Sequence, residues 1–298
     1  MAKKTLRKDI RQDEEIWQSD KHVLFVEGKD ENAIDPLVLE ILLKDIIYVK
    51  PMGSSYHVKS VAQALHKHHP DYYFLIDRDH SDDSFVEKCW QNFPDPATHN
   101  LLVWFRRELE NYFLIPEYLL KSQYITVSED TLRQHIRDTF QKRFYLETAN
   151  RVIVYIREEL KNKWIALFEK PHNFKTKETA INQLTNIPAF NSQTKKMDQL
   201  LSQNNLEELF YQFLNQFTGG HETMDFGCGQ WLELMRGKKV LPTIINHCFE
   251  VKNMQGKFLH GKVKLNEVVK DLIRKSIPEQ PDDFKRLYKI ISRRIQPT

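Results

Sequence analysis

The sequence predicts an α/β protein: a mainly parallel sheet flanked by helices, with an all-helical insertion or C-terminal region attached. Two observations predict it. Short apolar runs at Val23–Val26, Ile46–Val49, Tyr72–Ile76 and Leu101–Phe105 have strand length, and segments with apolar residues at helical spacing, such as Val58, Val61, Ala62 and Leu65, lie between them. That alternation is the pattern of right-handed βαβ crossovers. The runs are also continuous rather than alternating, as in Tyr72-Tyr73-Phe74-Leu75-Ile76, which marks strands buried on both faces.

Composition narrows the class. The chain has 298 residues, enough for one large domain or two modest ones. Apolar residues make up 41% and charged residues 29%, as in ordinary soluble globular proteins. No apolar run approaches membrane-spanning length, and no signal peptide precedes the first strand. The three cysteines, Cys89, Cys228 and Cys248, lack CxxC pairing, which argues against a zinc site and a disulfide framework. A reducing, cytoplasmic setting with no membrane partner is the expectation.

Residues 1–20 open basic, with Lys3, Lys4, Arg7, Lys8 and Arg11, then turn acidic at Asp13, Glu14 and Glu15. Such an arm either touches nucleic acid or is a solvated terminus, the commoner case. The first strand, Val23–Val26, runs into Glu27-Gly28, and glycine permits a tight exit. Asp30 is a fair N-cap for a helix over 33–43, which would put Glu31 in the first turn. An acid there also serves the helix dipole alone. Glu27 abuts an apolar run, so its carboxylate is held near the edge of the core.

The third strand ends in acid: Asp77 and Asp79, with Asp82 and Asp83 close behind. Residues two apart on a strand face the same way, so Asp77 and Asp79 are expected to share a focus. Two carboxylates that close repel unless a cation intervenes. The carboxyl ends of strands in an open α/β sheet are also where ligands bind. The bland alternative is a strand ending in a solvated acidic turn. A helix over 82–93 and a strand over 101–105 follow, then Arg106-Arg107-Glu108-Leu109-Glu110-Asn111-Tyr112.

An acid plus glycine after a first strand, followed by an apolar strand ending in DxD, resembles the Toprim domain of topoisomerases, bacterial primases and OLD-family nucleases. The EGxxE spacing of Glu27, Gly28 and Glu31 and the LENY segment Leu109–Tyr112 resemble the OLD branch. The likeness covers roughly residues 23–120. It implies that Glu27 is the signature acid and that Asp77 and Asp79 hold Mg²⁺ or Mn²⁺. It also implies that Glu31 serves a second ion, and it ranks Glu110 below these with a structural role open. OLD-like proteins also carry a Gly-Lys segment whose lysine assists at the scissile phosphate; Lys238 is the candidate and Lys262 the competitor.

No GxxxxGK[ST] occurs, so the chain is not expected to hydrolyse ATP. In this it resembles the stand-alone Toprim effectors of two-component anti-phage systems such as PARIS, which implies a separate ABC-type ATPase partner, a homodimeric active form, and nucleic acid as substrate, whether tRNA or DNA.

The remaining organisation is expected as follows. The Toprim core spans 21–122 and a helical insertion 123–221, with long amphipathic runs at 131–146, 152–168 and 206–217 and a shorter helix starting near Thr179. Trp164, Phe168, Phe174 and Phe190 are read as core rather than stacking platforms. A basic helical region over 222–298 packs on the core; from Val251 onward it holds twelve Lys and Arg against five Asp and Glu. Acids for cations and a basic face for a backbone suit a phosphodiester substrate, though charged helical surfaces are common. The function expected is metal-dependent cleavage of nucleic acid. A haloacid-dehalogenase-type phosphohydrolase also has DxD after a strand, but normally on the first strand. A non-catalytic binding module is the third option.

Overall fold

The computed structural model describes residues 22–31, 33–94, 100–161 and 188–295. The fold is α/β. Four parallel strands, β1 (Val23–Val26), β2 (Tyr48–Pro51), β3 (Tyr72–Ile76) and β4 (Leu101–Val103), form a sheet in the order β2-β1-β3-β4. Every residue of β1 and β3 is buried, which is why their runs are uninterrupted.

Two strands differ from expectation at their ends. β2 starts at Tyr48 rather than Ile46, because Ile46 is still in the turn after the preceding helix, its N–H on Leu43 O. Pro51 is tolerated because β2 is an edge strand. β4 stops at Val103 rather than Phe105, whose carbonyl accepts from Arg78 Nη1 at 2.9 Å instead of joining the ladder.

The strand order reverses at β1. The chain steps from β1 to β2 on one side, then crosses back to β3 on the other, and continues outward to β4. With right-handed crossovers, helix α1 (Ile34–Leu42) covers one face and α2 (Ser55–Leu65) and α3 (Asp83–Asn92) cover the other. Each buries residues four apart: Val38 and Leu42, Val58 and Ala62, Val86 and Trp90. Asp82 caps α3, accepting from Phe85 N at 2.8 Å.

After β4 come a 3₁₀ helix (Leu109–Leu114) and the short α4 (Pro116–Leu119). The chain divides into two compact units, 1–139 with 232–298, and 140–231. The first unit keeps residues that the sequence assigned to the insertion. Ser122 Oγ and Gln123 N donate to Asp271 Oδ2 at 2.7 and 3.0 Å, and Thr126 N donates to Cys248 O at 2.9 Å. These bonds hold residues 122–126 to the C-terminal helices, so the boundary falls later, inside α5 (Glu129–Gln141).

The second unit contains α6 (Phe144–Lys161), α7 (Pro188–Leu200) and α8 (Gln203–Thr218), packed around Val152, Ile156, Leu200, Leu209 and Phe213. The expected run over 131–146 is broken between α5 and α6. α8 ends at Gly219 with φ +67°, whose N–H bonds Asn215 O at 2.7 Å. The N-terminal arm, Trp164, Phe168, Phe174, the side chain of Phe190 and the helix start at Thr179 lie outside the described residues.

The chain re-enters the first unit through α9 (Trp231–Leu234), followed by α10 (Gly237–Cys248), α11 (Gly261–Ile273) and α12 (Asp282–Ile295). α12 turns Phe284, Leu287 and Ile291 inward. Phe284 is fully buried against Trp104, Tyr112 and Phe113, Tyr112 Oη donates to Asp283 at 2.6 Å, and the Arg286 guanidinium lies 4.7 Å over Trp90. The last helix is therefore part of the sheet's own core. Phe284→Ala is expected to lower stability by about 3–5 kcal/mol, read as a lower urea midpoint with an unchanged slope.

Candidate functional site

The site grows from the strand register. Val26 pairs with Leu75, so Glu27 and Asp77 leave adjacent strands at nearly the same level. They do so where the strand order reverses, the crevice of an open α/β sheet. Gly28 turns the chain with φ +141°, and its N–H and C=O exchange bonds of 2.9 and 2.8 Å with Gly53. A β-carbon there would stand 3.1 Å from Ala33 Cβ and 3.2 Å from Pro36 Cδ. The exits of β1 and β2 are thus tied together beside Glu27.

Glu27 Oε1 accepts the Asp77 N–H at 2.9 Å. Asp77 is 2% exposed. Its Oδ1 accepts from Leu109 N at 3.0 Å, and its Oδ2 meets Lys238 Nζ at 2.5 Å. Asp79 lies at the exposed rim of this cluster, close enough for its charge to act on both Glu27 and Asp77. Strand geometry ends at Ile76, and Asp79 takes a left-handed φ of +49° with its side chain exposed and its N–H on Arg107 O. The alternation that predicted a shared focus applies only while the strand continues. The rest of the acidic run is structural: Asp82 caps α3, and Asp83 pairs with Arg78 at 2.5 Å. Buried Arg78 also donates to Ser81 O and Phe105 O, fixing the acidic loop to the end of β4.

The LENY segment builds the other half. Asn111 donates to Leu232 O at 2.9 Å and Met235 O at 2.8 Å, and accepts from Glu108 N at 3.1 Å. Gly237 lies against it so closely that a β-carbon would stand 2.5 Å from Asn111 Oδ1. Glu108 Oε2 accepts the Lys238 N–H at 2.7 Å. Backbone and side chain of Lys238 are both held by acids, and glycine ahead of it is a steric requirement.

The remaining residues divide clearly. Glu110 is buried within electrostatic reach of Lys238, and its Oε2 has no hydrogen-bond partner. Asp35, in the first turn of α1, is buried in the same cluster. It was not singled out from the sequence, where an acid at a helix start reads as dipole compensation. Glu31 stays exposed, because α1 begins at Ile34 with Ala33 as its N-cap rather than at Asp30. Lys262 is exposed at the start of α11.

Electrostatics follow from burial. The Glu27 carboxyl is raised to about 7 by burial and then by Asp77 and Asp79. Asp77 rises to about 6, again by burial, against the pull of Lys238. Glu110 rises to about 8, and Asp35 lies well above the carboxylate range, both chiefly through burial. Burial opposes the charge of Lys238, but Asp77, Glu110 and Asp35 outweigh it and hold its pKa well above the usual lysine value. One ammonium thus faces several carboxyls.

Hard oxygen donors and an excess of acid fit the chemistry of Mg²⁺ or Mn²⁺. Among the described residues, no three His, Cys, Asp or Glu side chains stand in metal-holding geometry, and Lys238 occupies Asp77 Oδ2. No helix among the described residues is long and apolar enough to cross a membrane. No protein-family model matches the chain, and no curated protein matches it.

The raised acids set a pH dependence. Glu27, Asp77 and Glu110 bind protons more tightly folded than unfolded, so stability declines as pH rises from their ordinary range through about 6 to about 8. Lys238 is raised too, but its contribution persists until pH passes the unfolded lysine value of about 10.4. The metal-free protein is expected to melt at a lower temperature at pH 8 than at pH 5.5. Glu110→Gln is expected to flatten the slope. A melting temperature that climbs across that interval contradicts the assignment.

Proposed function

We propose that this chain is a metal-dependent nuclease built on an OLD-like Toprim core. The observation that carries the reading is the junction of Glu27, Asp77 and Lys238. Two acids leave adjacent strands at the switch point of a parallel sheet, the Glu27 carboxylate accepting the Asp77 backbone N–H, with a lysine from a distant helix on the more buried acid. Acids, lysine and a basic C-terminal region together suit a phosphodiester.

Glu27 and Asp77 would hold the ion, with exposed Asp79 closing the set from the rim. A bound Mg²⁺ or Mn²⁺ supplies a water of lowered pKa and neutralises charge on the phosphate. Asp77 is held at its backbone N–H by Glu27 and at its carboxylate by Leu109 N–H and Lys238, so that carboxylate is positioned before substrate arrives. Lys238 brings a positive charge into the same crevice, where a phosphate oxygen would be neutralised. Lys285, Lys289, Arg293 and Arg294 on α12 offer a surface for the phosphate backbone. One ion suffices for this reading; a second at Glu31 has no support in the described geometry.

The chain acts, on this reading, as the toxic effector of a cytoplasmic two-component anti-phage system, held in check by a separate ABC-type ATPase. Leu37, Ile41, Ile46 and Ile47 are half-buried and Tyr48 is exposed along α1 and edge strand β2, which supports a homodimer as the working unit. tRNA is the first substrate to try and DNA the second.

Cleavage of end-labelled tRNA and DNA across a Mg²⁺ and Mn²⁺ titration tests the activity. Glu27→Ala and Asp77→Ala are each expected to reduce cleavage to background while the circular dichroism spectrum is kept. Retained cleavage by either variant at saturating metal would falsify the assignment. Co-purification with a neighbouring ATPase tests the regulation; a chain that elutes alone and is harmless when expressed alone removes its basis.

A further inference from the structure

The inference rests on the reading of this site as a metal centre. Both oxygens of Asp77 already have protein partners, Leu109 N–H on Oδ1 and the Lys238 ammonium on Oδ2. The ammonium stands at 2.5 Å from a carboxylate that is itself 1% exposed. A divalent cation ligated by that oxygen and an ammonium touching it repel one another at contact distance. The two are therefore alternatives.

The molecule also offers the ammonium somewhere else to go. Asp77, Glu110 and Asp35 are the carboxylates that act most strongly on Lys238. Of these, Glu110 keeps a buried oxygen, Oε2, without a hydrogen-bond partner. The base of the lysine is pinned, since its N–H donates to Glu108 and the preceding Gly237 is locked against Asn111. Its side chain is 37% exposed and carries a flexible four-carbon stem, so it can swing without unpacking the core.

We propose that Lys238 is a placeholder for the metal: its ammonium neutralises Asp77 in the metal-free protein, a divalent cation displaces it, and it then settles on Oε2 of Glu110. Glu110 is on this view a positioning residue for the lysine rather than a ligand. The unpartnered oxygen is the resting place for a side chain that is elsewhere in the metal-free state. Loading the ion and freeing the lysine become one event.

Mn²⁺ binding, read by electron paramagnetic resonance without substrate, tests this in wild type, Lys238→Met, Glu110→Gln and the double variant. Lys238→Met is expected to bind Mn²⁺ about tenfold tighter or more, because the competitor is gone. Glu110→Gln is expected to weaken binding about tenfold when Lys238 is present and less than about threefold when it is absent, a coupling of the size seen between interacting residues. Should Lys238→Met fail to fold by circular dichroism, Lys238→Gln with and without Glu110→Gln reads the same difference. Unchanged or weaker Mn²⁺ affinity on removing Lys238, or an equal cost of Glu110→Gln in both backgrounds, overturns the proposal while leaving the metal centre standing. Failure of the wild type to bind Mn²⁺ at all overturns the metal centre and this proposal together.

Discussion

The contact between Lys238 Nζ and Asp77 Oδ2 joins segments 161 residues apart and sits where a charge is hardest to keep. A buried carboxylate without compensation is costly, and removing one partner of a buried pair typically costs about 3–5 kcal/mol. Much of the first unit can be understood as the means of delivering that ammonium. α10 must begin within reach of β3, and the LENY turn fixes it there by two bonds from Asn111 and one from Glu108. Gly237 is the only residue that fits between them. The parallel sheet sets the acids side by side, and the C-terminal half of the chain supplies the cation.

The arrangement remains unbalanced. Glu27, Asp35, Asp77 and Glu110 share an environment in which burial pushes every carboxyl upward, and one lysine does not neutralise them all. A fold that needed only structural support would place apolar side chains here, since well-packed hydrophobic residues usually match or exceed a buried ion pair in stability. Carboxyls perturbed in this way inside a crevice mark a candidate functional site.

How far the sequence revealed this follows from the kind of signal each residue carries. β1 and β3 were legible because burial on both faces leaves an unbroken apolar run. β2 was misplaced by two residues because one edge strand with a proline has little pattern of its own. Glu27 and Asp77 were legible as acids abutting such runs. For Asp79 the strand alternation behind the expected shared focus does not apply, because β3 ends at Ile76 and Asp79 itself takes a left-handed φ. Asp35 was invisible because its partners are brought to it by α10, a contact that no local period encodes. Lys238 came from a resemblance, and the steric reason for its glycine appears only in three dimensions.

The second unit interrupts the first between residues 139 and 232, and this has a consequence for the order in which the protein is made. All the acids of the site lie before the interruption and their lysine lies after it. During synthesis the ribosome releases the sheet, its acidic crevice and the whole intervening helical unit before residue 238 emerges. The nascent chain therefore carries these acids without their lysine while the intervening unit is made. The site is completed only after residue 238 has emerged, and a chain released before α10 would lack both the ammonium and the packing of Phe284 into the sheet's core.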